Sequence, residues 1–220
     1  MDIVIISATP RAAAQSNTAM FARAFLEGLS QAGASASIYY LADKKQWPTA
    51  QQAFLDNSKI IFILPIFTGG IPALMAEFIE LSASRCPEYL ADGSQRDISF
   101  IVHAGLPMDC DFKFCAQFLR TLPEHLNSTF SGILGIGDTI GIDCMESARN
   151  EALKKLRELG ESYAKNQGVF YPEESFWVPD VITQEKAKPY CRLINRFMRH
   201  ISAAQGCEES LDQQPYQKSK

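Results

Sequence analysis

IVIISATPRAAAQSNT, residues 3–18, opens on a β-branched run, Ile3 to Ile6, that stops at Ser7-Ala8-Thr9-Pro10. A short apolar run without alternation is the mark of a strand buried on both faces, as in a parallel sheet. From Thr18 the period changes. Phe21, Phe25 and Leu29 recur every four residues with Ala22 and Leu26 beside them, which predicts a helix ended at Gly33. The same unit repeats down the chain. Strands are predicted at Ala36 to Leu41, Lys59 to Leu64, Ile98 to Val102 and Gly132 to Ile136. Helices are predicted after Pro72, with Leu74, Met75, Phe78 and Ile79 buried, over Phe112 to about Leu122, and along Leu153, Leu156, Leu159 and Tyr163. Five strands alternating with helices specify an α/β fold, a doubly wound five-stranded parallel sheet with helices on both faces. Such sheets bind ligands at the carboxyl ends of their strands, so the loops starting at Ser7, Pro65 and His103 are the expected place for chemistry.

The chain has 220 residues, 46% hydrophobic and 21% charged, close to globular averages. The sheet accounts for residues 1–164, and residues 165–220 form a C-terminal helical extension packed on the domain or on a second subunit. There Tyr190, Leu193, Ile194, Phe197, Met198 and Ile201 fall on one helical face, opposite Lys186, Lys188, Arg192, Arg196 and Arg199. Lys and Arg total 21 against 25 Asp and Glu, and a net charge of −4 offers no global attraction for a polyanion, so nucleic acid is not an expected partner. The N-terminus carries Asp2 where a signal peptide needs positive charge, and no apolar run reaches the roughly 18 residues of a membrane span. A cytoplasmic protein is expected. The six cysteines are scattered and read as reduced thiols; with His103, His125 and His200 they supply no metal-ligand spacing, so no metal is expected.

The first loop lacks the G-x-G-x-x-G of dinucleotide sites, and G-x-x-x-x-G-K-[ST] is absent, which disfavours kinase or ATPase chemistry. Strand three ends in Leu64-Pro65, where a phosphorylatable receiver would need an Asp. What the first loop does hold is Ser7, Thr9, Ser16 and Thr18, the Asn17 amide and the Arg11 guanidinium, immediately before a helix N-terminus. Exposed helix N–H groups, hydroxyl donors and an arginine fork suit a terminal monophosphate. The competing role for Ser16 or Asn17 is an ordinary helix cap, with Arg11 solvated. In the second loop, Pro65-Ile66-Phe67-Thr68-Gly69-Gly70-Ile71-Pro72, glycines let backbone N–H groups approach a flat ring and Phe67 offers a stacking surface. The alternative there is a plain strand-to-helix turn around a buried Phe. His103 is a candidate for the ring, or a structural hydrogen-bonding residue.

These loops resemble the flavodoxin-like NAD(P)H-dependent FMN reductases and related quinone reductases. Ala8-Thr9-Pro10-Arg11 with Ser16-Asn17-Thr18 is similar to their G-S-P-R…S-N-T phosphate loop, and Pro65 to Ala73 to their isoalloxazine loop. Phe78-Ile79-Glu80 is similar to the following F-I-D, and His103-Ala104-Gly105-Leu106-Pro107 and Gly135-Ile136-Gly137-Asp138 to stretches in one branch of the family. The resemblance spans roughly residues 2–164; Ala8 replaces the usual Gly, Thr9 replaces Ser, and Ala12-Ala13-Ala14 are extra. It implies a flavodoxin-like fold, FMN as cofactor and NAD(P)H as cosubstrate, in an oxidoreductase that passes reducing equivalents through the flavin to a quinone or free flavin. It implies Thr9, Arg11, Ser16, Asn17 and Thr18 at the phosphate, and Pro65, Ile66, Phe67, Thr68, Gly69, Gly70, His103 and Gly105 around the ring. No protein acid or base is obligatory, because the flavin carries the chemistry. The alternative is a flavodoxin-type electron carrier without nicotinamide turnover, for whose acidic docking face −4 is a small charge. A homodimer is also expected, because Phe170, Tyr171, Phe176, Trp177 and the amphipathic stripe are too apolar to leave in water.

Overall fold

The β-branched runs form the strands of one parallel sheet. A computed structural model describes residues 2–105, 111–139, 141–170, 176–177, 191–192, 195–196, 199–200, 202–204 and 206. β1 (Asp2–Ser7) leads through α1 (Asn17–Gln31) to β2 (Ser35–Tyr40), and α2 (Trp47–Asp56) leads to β3 (Lys59–Pro65). α3 (Ala73–Ala83), β4 (Arg96–His103), α4 (Asp111–Thr121), β5 (Ser128–Gly137) and α5 (Glu146–Lys165) follow. The sheet order is β2-β1-β3-β4-β5 with a sixth strand beyond β5, and every pairing is parallel. The five expected strands are present. The sixth, β6 (Phe176–Trp177), pairs with Ile136 and Gly137 over two residues, too short to carry a periodic signal. Strand three also runs one residue past its expected end, because Pro65 still pairs with His103.

Period-two alternation splits each strand between two layers. Val4, Ile6, Ile60, Phe62, Leu64, Ile98 and Phe100 form one core with buried residues of α2, α3 and α4. Phe54, Phe62, Phe78 and Phe100 lie ring against ring at its centre. α2 goes beyond the sequence expectation. Its buried Trp47, Ala50, Phe54 and Leu55 keep helical spacing, with Pro48 in the first turn. Its last carbonyls are held by Arg96, only 1% exposed, which donates from Nε to Phe54 O and from Nη2 to Leu55 O at 2.8 Å each. A guanidinium at a helix C-terminus meets the negative end of the dipole.

On the other face α1 and α5 meet backbone to backbone. A Cβ on Gly28 would lie 2.0 Å from the Arg157 carbonyl oxygen, and one on Gly160 would lie 2.4 Å from that of Phe25. Phe25, Tyr163 and Phe170 close the contact as a ring cluster. Phe170 packs against Gly132, where β5 bulges: a Cβ at that glycine, whose φ is +117°, would sit 2.9 Å from Phe170 Cβ. The expected stripe of α5 holds at Leu156, Leu159 and Tyr163, whereas Leu153 is half-buried and Ala152 takes the inward place.

The chain divides into compact units Met1–Val181 and Ile182–Lys220. The first therefore runs past the expected boundary at residue 164, since Phe170 and β6 belong to the sheet domain. In the second, Arg192, Arg196 and Arg199 are exposed helical positions, while the expected apolar stripe lies outside the described residues. Among the described residues no helix is long and apolar enough to cross a membrane, and no group of three potential metal ligands is present.

Gly28→Ala tests the α1–α5 contact. Helix propensity alone would make alanine about 1 kcal/mol better, but a methyl inside a carbonyl's radius forces the helices apart at about 2 to 3 kcal/mol. The variant is expected to melt roughly 4 to 10 °C lower by circular dichroism. Unchanged or raised stability would place the helices farther apart.

Candidate functional site

Behind β1 the chain needs nine residues, Ala8 to Ser16, before α1 can begin. Ala8 fits the bend: its N–H donates to Ile63 O at 2.8 Å and its methyl is fully buried in the core. The extra alanines enter a 3₁₀ turn, Ala13–Gln15, and Arg11 stays exposed. Ser16 takes the capping role. Its Oγ accepts from Ala19 N at 3.3 Å and its carbonyl accepts from Met20 N at 3.0 Å. The N–H groups of Asn17 and Thr18 are left at the open end of the helix, where a dipole and unpaired donors favour an anion. Thr9 is buried, and its Oγ1 accepts from Arg11 N at 3.4 Å.

After β3, Phe67 and Gly70 exchange two backbone hydrogen bonds of 3.1 and 2.9 Å, closing a hairpin on Thr68 and Gly69. Both central residues have positive φ, +47° and +78°, the pattern of a type I′ turn. A β-branched residue there is strained, and such strain persists only where surrounding structure holds it. The hold is visible: Ile66 N donates to His103 O at 2.8 Å. Phe67 is 51% exposed, so the buried-Phe turn does not describe this loop.

His103, the last residue of β4, is buried between Thr18 and Thr139, with the Phe21 ring edge-on at 5.2 Å. Thr139 Oγ1 donates its proton to Ala104 O at 2.8 Å, so it can only accept from His103 Nδ1, which stands 3.4 Å away. The ring proton therefore sits on Nδ1. Nε2 accepts the Thr18 hydroxyl proton at 2.8 Å, which leaves Thr18 with its backbone N–H as donor to any ligand. Burial holds the imidazole neutral and pulls its pKa down to about 4. His103 thus has the structural role weighed in the sequence and also borders the site.

A cleft of about 240 Å³ joins these loops. Arg11, Asn17, Pro65, Ile66, Phe67, His103 and Gly105 line it; Thr9, Ser16, Thr18, Thr68, Gly69 and Gly70, in the same loops, do not. Leu106 to Cys110 lie outside the described residues. Thr139, Gly141 and Asp143 complete the cleft from the loop after β5. Sequence reasoning missed these three, although the carboxyl-end rule that singled out the other loops applies equally to β5. A larger hollow of about 350 Å³, bordered by Phe112, Arg120, Phe130 and Phe170, lies along α4 and the first half of β5, away from these loops.

The donor set fits a phosphorylated ligand. Arg11 and Asn17, the first residue of α1, line the cleft together with the exposed Phe67, so a guanidinium, a side-chain amide and a helix N-terminus share it with an aromatic. Enclosed pockets for such ligands measure about 300 to 1,000 Å³, so a smaller, open cleft suits a ligand left partly accessible.

No family model and no curated protein sequence matches the chain. Among solved structures it is similar to an NAD(P)H:quinone oxidoreductase from Methanothermobacter marburgensis, at TM-score 0.58 and 16% identity over 74% of this chain and 96% of that one. It is similar to an FMN-dependent NADH-azoreductase from Bacillus anthracis str. Ames Ancestor in complex with FMN, at TM-score 0.56 and 16% identity over 74% and 100%. An NADH:FMN oxidoreductase in its apo form matches at TM-score 0.56 and 14% identity over 81% and 95%. The fold is therefore flavodoxin-like, as the strand order requires.

A pKa lowered on folding makes stability depend on pH with a definite sign. Above the unfolded value of 6.5 the neutral ring costs nothing; as pH falls toward about 4 only the unfolded state takes the proton, and stability is lost. Between pH 7 and 5 the natural protein should lose about 2 kcal/mol more than His103→Asn, read from urea unfolding. Equal losses, or imidazole nitrogen shifts that titrate near 6.5, would contradict the buried neutral ring.

Proposed function

We propose that this protein is an FMN-dependent oxidoreductase that passes reducing equivalents from NAD(P)H through bound flavin to a small acceptor such as a quinone or free flavin. The observation that carries the reading is one cleft lined both by a phosphate-type donor set, Arg11 and Asn17, and by the exposed Phe67 of a hairpin. Supporting it, the similar structures include a quinone oxidoreductase, an FMN-dependent azoreductase and an NADH:FMN oxidoreductase. Arg11, Asn17 and the N–H groups of Asn17 and Thr18 hold the phosphate, with proton donation from the Ser16 and Thr9 hydroxyls. Thr18 otherwise acts through His103, fixing the first turn of α1 to the end of β4. Pro65, Ile66, Phe67, His103 and Gly105 would hold the ring, with the Thr68, Gly69 and Gly70 turn fixing the first three. When bound, FMN supplies hydride chemistry at its N5 atom. The chain fixes the ring, keeps an uncharged imidazole beside the site, and leaves an open side for alternating substrates.

We further place the protein in the cytoplasm and read it as a homodimer. The free thiols of Cys86, Cys115, Cys144 and Cys191 support a reducing compartment. Phe114 and Phe118, one turn apart on α4 and 74% and 47% exposed, support a covered surface.

Addition of FMN to purified protein is expected to restore the yellow flavin absorbance and NAD(P)H oxidation with a quinone; folded protein that takes up no FMN would end the proposal. Arg11→Ala is expected to weaken FMN by roughly tenfold to a hundredfold, the worth of one charge-assisted bond, while riboflavin binding barely changes. Equal losses would remove Arg11 from the phosphate. Deletion of residues 182–220, which spares Phe170 and β6, should turn the dimer into a folded monomer by light scattering if that segment builds the interface; an unchanged dimer argues against it.

A further inference from the structure

The cleft carries one charge that a phosphate does not want. Asp143, in the 3₁₀ turn Ile142–Cys144, lines it together with Arg11. Among the described residues no direct ion pair joins the two. The turn is held from behind. Gly141 enters it at φ +69°, Cys144 N donates to Gly141 O at 2.9 Å, and Arg149 Nη1 donates to the Asp143 carbonyl at 3.1 Å. The arginine that anchors Asp143 thus grips its backbone carbonyl, and the residue itself is exposed and lines the cleft.

An ionised carboxylate accepts hydrogen bonds and donates none. Beside a phosphate it repels; beside hydroxyl groups it takes two or more charge-assisted bonds. A cleft lined by both Arg11 and Asp143 sorts a ligand by its own polarity, anion toward Arg11 and hydroxyl protons toward Asp143. We infer that Asp143 is a specificity-determining residue that recognises the polyhydroxylated chain linking the phosphate of FMN to its ring. The assignment rests on the FMN reading of the cleft.

Three flavins separate the ideas. Lumiflavin has the ring alone, riboflavin adds the hydroxylated chain, and FMN adds the phosphate. Affinity by fluorescence quenching is expected to fall roughly five- to tenfold for riboflavin and FMN in Asp143→Asn, with lumiflavin unchanged. Asp143→Ala should show the same pattern at least as strongly, and circular dichroism confirms that both variants fold, as an exposed turn position allows. If natural protein binds FMN but either folded variant binds all three flavins as before, weakens all three equally, or holds FMN more tightly, the Asp143 assignment falls alone. If folded natural protein binds none of the three, the FMN reading falls and this assignment with it.

Discussion

The structure depends on the place of β1 between β2 and β3. The chain leaves β1 to one side, returns, and crosses to the other, so the connections that follow β1 and β3 diverge above adjacent strand ends. A parallel sheet cannot close that gap with its own backbone, because each crossover helix packs down onto a face. The β1 run makes the arrangement possible: Ile3 to Ile6 are 0–1% exposed, flanked by strands on both edges and helices on both faces. The opening is an outcome of topology, and side chains only furnish it.

What furnishes it is a ladder of contacts between loops. Ile66 bonds to the His103 carbonyl, the His103 ring accepts from Thr18, and Thr139 bonds to the Ala104 carbonyl. Loops after β1, β3, β4 and β5 are thereby tied around one imidazole. A neutral ring is what the ladder needs, since a protonated Nε2 could not accept from Thr18. The burial that lowers the pKa of His103 and the hydrogen bonds that use it are consistent with one another.

The layers were legible in the sequence because burial on two faces writes itself as β-branched runs, and burial on one writes itself as four-residue spacing. The site was legible where residue type and place in the fold coincide, as at Arg11, Asn17 and Phe67. It was opaque where function depends on which neighbour a group meets. Thr18 and Ser16 look alike as hydroxyls beside a helix start, yet one proton goes to a histidine 85 residues away and the other oxygen caps its own helix. The Phe67 hairpin was hidden because Thr stands where a type I′ turn usually has Asn or Gly. Asp143 sits in no recognisable motif, and β6 is two residues long.

The glycine contact between α1 and α5 also bears on how the chain is made. α1 emerges from the ribosome early and α5 more than a hundred residues later, yet the wall against which α1 packs is the backbone of α5 at Arg157 and Gly160. Until then Phe25 and Leu29 have only part of their final cover, and a nascent chain holding β1 to β4 has an open helical face. Synthesis of this protein therefore has a late commitment point, and a chaperone that shields one amphipathic helix until the last long helix is delivered would meet the need.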